Sequence, residues 1–161
     1  MEETNIHEFG SVIKIDKSDR RLGLWKEGRC IHEFRIGLGF SPDGNKIREG
    51  DGRTPVGQYY ICTKNPQSRF TLFLGISYPN IEDANRGLKN GLINEEEYNK
   101  IKKSIEKRKR PDWSTQLGGK IGIHGKGSSF DWTAGCISLN DADIQTLWDL
   151  VELGTPVVIS E

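Results

Sequence analysis

Short apolar–polar alternation, broken repeatedly by turn residues, is what most restricts the fold of this chain. Val12-Ile13-Lys14-Ile15-Asp16 stops at Lys17-Ser18-Asp19-Arg20, and Leu22-Gly23-Leu24-Trp25 stops at Lys26-Glu27-Gly28-Arg29. Ile31 to Leu38 then sets Phe34, Ile36 and Leu38 on one face. A period of two sends successive side chains to opposite faces of a strand, so these runs predict hairpins and an antiparallel sheet. Val56 to Thr63 and Phe70 to Ile76 predict two further strands. Between them, Gly39 to Arg53 is rich in glycine and charge; a loop of that length in a compact domain is often functional.

The middle of the chain changes period. Ile81 to Lys89 reads as a short helix. Asn94 followed by Glu95-Glu96-Glu97 opens a second, with an N-cap and acids that complement the helix dipole. Tyr98, Ile101 and Ile105 give it a narrow apolar stripe, so it should lie on the surface and end near Arg108, ahead of Pro111. Lys120 to His124 returns to a strand. Asn140 or Asp141 caps a helix carrying Ile144, Leu147, Trp148 and Val151 on one side. Gly154 stops it, and Pro156 to Ile159 is a closing strand.

A chain of 161 residues has room for one well-packed core. Lys+Arg and Asp+Glu number 23 each, so no global field favours nucleic acid or an anionic membrane. The basic run Lys100 to Arg110 reads as a solvated helix face and its end. No apolar run approaches the ~20 residues of a membrane span. Met1 is followed by Glu2-Glu3-Thr4-Asn5, which is not an export signal. Cys30 and Cys62 read as buried small hydrophobes, their pairing in a disulfide left open. No Cys-x-x-Cys or His-x-x-x-His spacing is present, so no metal site is expected. His7 and His32 carry no functional reading.

The chemistry gathers at His124-Gly125 and Thr133-Ala134-Gly135-Cys136-Ile137-Ser138. A thiolate is a strong nucleophile, and a neighbouring imidazole can take the thiol proton or stabilise the thiolate as imidazolium. Cys136 is therefore the candidate nucleophile and His124 the candidate base. Asp131 or the Gly125 backbone carbonyl would orient the imidazole. The N–H groups of Gly135 and Cys136 are candidate oxyanion donors. This predicts acyl transfer through a thioester, with a Cys136 of depressed pKa.

Ile-His-Gly, a short loop, then Thr133-x-Gly-Cys-Ile resembles the signature of the L,D-transpeptidase catalytic domain of YkuD type. Arg53-Thr54-Pro55-Val56-Gly57, Ser77-Tyr78-Pro79-Asn80, Gly118-Gly119-Lys120-Ile121, Asp131-Trp132-Thr133 and Gly154-Thr155-Pro156-Val157 look like its YafK-like branch. The resemblance spans about Ser11 to Ile159. It implies a mainly β, L,D-transpeptidase-like β-sandwich or barrel of mixed sheets with two or three helices, one near the C-terminus. Residues 1–10 would be a flexible segment and 11–161 the catalytic domain.

The family's cysteine attacks the third residue of a peptidoglycan stem peptide and expels the terminal D-alanine. By resemblance Cys136 is that nucleophile, His124 the base and Gly125 the orienting carbonyl, with no cofactor. The acceptor would be a second stem amine, a wall-attached lipoprotein or water. The alternatives are a hydrolytic variant (L,D-carboxypeptidase or amidase releasing wall-bound protein) and a non-catalytic wall-binding module. The resemblance implies a monomer working in the periplasm or otherwise outside the cytoplasm, its export signal trimmed from this chain. Many members carry His and Arg where this chain has Ala134 and Ser138, and their His-to-Cys loop is longer. Arg53 is the candidate replacement for the missing arginine as a substrate contact. Trp113, Trp132 and Tyr78 read as core aromatics or as walls of the cleft, Trp132 first among the candidate walls, and Thr133 and Ser138 offer hydroxyls to substrate or loop.

Overall fold

The alternating runs form a meander of β1 (Ser11–Asp16), β2 (Arg21–Lys26) and β3 (Arg29–Arg35), paired antiparallel in order. The structure is a computed structural model and describes residues 10–161. His7 and nearly all of the segment expected to be flexible lie outside the described residues. Ile13, Ile15, Leu22, Leu24 and Phe34 turn inward. Each contributes roughly 1.5–3 kcal/mol by burial. Ile31 to Leu38 was expected as one strand, but β3 stops at Arg35. The chain then leaves this edge, and Gly37 and Gly39 bridge to Ser138 and Thr133.

A long hairpin follows, β4 (Gly57–Ser68) and β5 (Thr71–Ile76). Its second half, Lys64 to Ser68, is polar, so alternation does not mark it in the sequence. The first half of β4 pairs antiparallel with β8 (Pro156–Ser160), which runs parallel to β1. β5 pairs antiparallel with β6 (Gly122–His124), and β6 runs parallel to β7 (Ile137–Ser138). The eight strands lie in the order β3-β2-β1-β8-β4-β5-β6-β7. The segment leaving β3 covers the far edge. Gly37 N–H donates to the Ser138 carbonyl at 2.8 Å, and Ser138 N–H returns the bond at 2.9 Å. The mixed sheet thereby curls towards a barrel and protects its last edge.

Three helices complete the described residues: α1 (Ile81–Lys89), α2 (Glu95–Glu106) and α3 (Asp141–Leu150). Asn80 and Asn94 open the first two, each in a capping box, with Asp83 and Glu97 respectively. The narrow stripe of α2 closes over a small satellite core of Ala84, Ile93, Ile101 and Leu117. It ends at Glu106, short of Arg108. α3 buries Ile144 and Leu147 in the main core. Asn140 occupies the N-cap position without capping. Its Oδ1 instead accepts from the Ser128 N–H and hydroxyl, both at 3.2 Å. Asp141 Oδ1 accepts from Lys126 N–H at 2.9 Å and from the Thr71 hydroxyl at 2.7 Å. The start of α3 thus ties down the loop between β6 and β7.

All three cysteines are free. Cys30, expected inside, is exposed because β3 is the sheet's outer strand. Cys62 is partly buried, and that burial pushes its thiol up to about 12.

Candidate active site

The β6–β7 register sets Ile123 opposite Ile137 and His124 opposite Ser138. Ile123 and Ile137 are fully buried in the core. Alternation therefore turns His124, on β6, and Cys136, the residue just before β7, to the other face. Twelve residues of sequence separation become a short step across one sheet.

His124 is 1% exposed. Its Nδ1 lies 2.8 Å from the Gly125 carbonyl, which fixes the proton on Nδ1 and leaves Nε2 as the acceptor. Phe70 stacks on the imidazole at 4.4 Å, and Trp132 meets it edge-on at 5.7 Å. Burial lowers the His124 pKa below its ordinary value, and the Gly125 carbonyl opposes this in part. The imidazole is neutral at pH 7.

Cys136 is partly buried and points its thiol at the Lys120 carbonyl, 3.4 Å away. Desolvation pushes the thiol up to about 11, against the lowering effects of the Gly122 backbone and the Lys46 ammonium. Among the described residues no hydrogen bond joins Cys136 to His124. The expectation of a depressed thiol pKa is therefore corrected: desolvation outweighs the nearby positive charge, and the resting pair is neutral.

Thr133 is buried, and its hydroxyl donates to the Cys136 carbonyl at 2.7 Å. The same oxygen accepts the Gly135 N–H at 3.1 Å. The Gly135 N–H, expected in an oxyanion hole, is thus spent inside the loop. The Cys136 N–H has no protein acceptor among the described residues. Gly135 has φ +141°, and a Cβ there would lie 2.8 Å from the Arg53 carbonyl and 2.9 Å from Ile121 Cδ1, so only glycine fits.

Four further expectations meet different fates. Ser138 is fully buried, and its hydroxyl braces the Gly125 carbonyl at 3.3 Å and contacts the Gly127 carbonyl, so it does not reach the cleft. Arg53 directs Nη1 to the Asn45 carbonyl at 3.5 Å and presents only its backbone to Gly135, away from the cleft. Tyr78 is fully buried, packed near Tyr59, with its hydroxyl on the Leu117 carbonyl at 2.7 Å. A substrate cannot touch it. Asp131 holds Arg20 at 2.8 Å and the Leu38 N–H at 2.9 Å, not the imidazole.

His124 and Cys136 open onto a cleft of about 1260 Å³, with Trp113, Trp132, Thr133 and Ala134 also in its lining. Trp132 anchors its Nε1 to the Gly127 carbonyl at 3.1 Å. Phe70, Phe73, Lys46, Arg69, Arg110 and Lys120 also line it, and sequence reasoning missed their part in it. The one available signal was Phe73, an aromatic on the outward-facing positions of β5. Lys46 comes from the long Gly39–Arg53 loop; it is 2% exposed and bonded to Asp51 at 2.9 Å and the Arg48 carbonyl at 3.1 Å. Among the described residues no cluster of three His, Cys, Asp or Glu side chains is placed to hold a metal. The arrangement offers a neutral base, a thiol and a free backbone N–H in one cleft, the parts needed for attack on a carbonyl.

No curated protein matches the chain. Among solved structures it is similar to the K307A mutant of the helical cell shape determining protein Pgp2 from Campylobacter jejuni. Identity there is 25% over 95% of this chain and 47% of that one, with a TM-score of 0.67. It is also similar to Bdellovibrio bacteriovorus Bd1075, at 24% identity over 96% of this chain and 49% of that one, TM-score 0.61. An L,D-transpeptidase from Mycobacterium smegmatis shares the fold at 12% identity over 95% of this chain and 59% of that one, TM-score 0.57. The chain spans about half the length of the first two. The family model described as the L,D-transpeptidase catalytic domain, YkuD, matches residues 10–159. With that match running across both the sheet and the His124–Cys136 loop, the chain belongs to the YkuD family of L,D-transpeptidase catalytic domains.

Proposed function

We propose that this domain is a cysteine acyltransferase acting on peptidoglycan stem peptides outside the cytoplasm. The observation that carries the reading is the pairing of a neutral, carbonyl-locked imidazole with a thiol on one face of a cleft. The weak thiol contact to Lys120 is released, and His124 Nε2 removes the thiol proton as Sγ attacks the carbonyl of the third stem residue. The Cys136 N–H lies beside the developing oxyanion. Collapse expels the terminal D-alanine, whose amine takes its proton from His124, and a thioester remains. A second stem amine, or a wall-attached lipoprotein amine, then attacks the thioester. No cofactor enters these steps.

Hydrolysis of the same thioester is the second reading. Ala134, exposed and small beside Cys136, leaves the site open to water. Incubation with purified sacculi, read by mass, separates the two: new cross-links mean transfer, and freed peptide or lipoprotein fragments mean hydrolysis. Unchanged sacculi, with a Cys136 inert to acylating β-lactams, refute both.

A further inference from the structure

The basic run that closes α2 is exposed, as a solvated helix face and its end should be. The helix ends at Glu106, and Arg108 and Arg110 leave it to stack on aromatic rings, Tyr60 at 4.4 Å and Trp113 at 4.8 Å. In the turn between β4 and β5, Arg69 stacks on Phe70 at 4.9 Å. Arg69 and Arg110 both line the cleft that holds His124 and Cys136. Phe70 is the ring stacked on His124. Trp113 packs on Gly119, next to Lys120, whose carbonyl receives the Cys136 thiol.

Neither guanidinium is in a salt bridge or hydrogen bond among the described residues. Among the described residues Glu49 is the only carboxylate in the cleft lining, while Lys46 is already matched by Asp51. A chain of zero net charge therefore concentrates unmatched positive charge on one cleft. Each guanidinium lies over a ring and has no hydrogen-bond partner among the described residues, so its N–H fork can take a carboxylate in two parallel bonds.

We propose that Arg69 and Arg110 are carboxylate anchors of this cleft that select stem peptides with free side-chain and α-carboxylates over amidated ones. This rests on the acyl-transfer reading of the cleft. The test uses a Cys136→Ala background, so that binding is read without turnover. Synthetic stem peptides, in free-acid and fully amidated forms, are titrated by calorimetry at low salt. The free-acid form is expected to bind about tenfold tighter than the amide. Arg69→Gln and Arg110→Gln should each remove most of that preference while leaving amide binding unchanged, which also reports that the variants are folded. Arg→Lys at either position should restore it in part. Equal binding of the two forms, or an equal loss of both in the variants, overturns the proposal. Inert sacculi together with a retained acid preference would sink the thioester mechanism and spare the anchors.

Discussion

Two polar clusters in this molecule are built from similar groups and end differently. Beneath α1, Asp83 is 2% exposed, and its oxygens accept from the Asn80 N–H at 3.0 Å, the Tyr59 hydroxyl at 2.8 Å and Arg86 at 2.7 Å. Around Cys136 the supporting groups are satisfied in the same way: Thr133, Ser138 and Asn140 all spend their side chains on loop backbone. The groups facing the cleft are not. Among the described residues, His124 Nε2, the Cys136 N–H and the guanidiniums of Arg69 and Arg110 have no hydrogen-bond partner in the protein. A closed network contributes stability. An open one, held rigid by a closed shell, leaves donors and acceptors for another molecule.

The sharpest way to separate the clusters is to remove one group from each. Cys136→Ala should lower turnover at least ~10³-fold, since a nucleophile has no substitute. It should cost stability only about 1 kcal/mol. Undiminished turnover on sacculi would refute the nucleophile assignment. Asp83→Ala should do the reverse. It strands the Tyr59 hydroxyl and the Arg86 charge and should cost about 3 kcal/mol in urea denaturation, with activity per folded molecule held within about twofold. A loss below about 1 kcal/mol would mean that the closed network is not a stability device.

The pH profile addresses the open cluster alone. His124 must be neutral to accept the thiol proton, and burial holds its pKa below 6.5. Activity should therefore be full at neutral pH and fall about tenfold per pH unit below that lowered pKa. The same lowering makes a stability contribution that is present above the unfolded value of 6.5 and lost as pH falls through the folded one. A loss of kcat/KM above pH 7.5, as an imidazolium gives up its proton, would instead point to a standing thiolate–imidazolium pair. Thr133→Val tests the shell. It leaves the Gly135 N–H without its acceptor and should cost roughly 1–2 kcal/mol and about tenfold in kcat. Unchanged kcat would mean that the loop holds itself. The smallest effect is expected at Cys62: with its thiol pushed up to about 12, it should resist iodoacetamide at pH 8 while exposed Cys30 reacts. Peptide mapping of the labelled protein decides it.

Strands β1, β2 and β5 were legible because alternation is a property of neighbouring residues, and α2 because an N-cap and its acidic first turn lie within four positions. The far half of β4 was not, since its polar residues carry no alternation and only pairing with β5 defines them. At the site, motif spacing picked out His124 and Cys136, and the register then placed them on one face. Arg53 and Tyr78 were picked for standing near motifs in sequence, which says nothing of where a side chain points. Arg69, Phe70 and Arg110 were missed for the same reason in reverse.

The sequence by itself determined the fold class, the helix starts and the identity of the thiol and imidazole, because each is written in local patterns of two to four residues. Only the tertiary structure decided their state. Burial keeps the imidazole and thiol neutral, the Thr133 hydroxyl takes the Gly135 N–H, and two distant arginines come to flank one cleft. Desolvation and long-range contact set those outcomes, and both depend on neighbours that no stretch of chain contains: Asp141 reaches Thr71 across 70 residues to hold the loop in place.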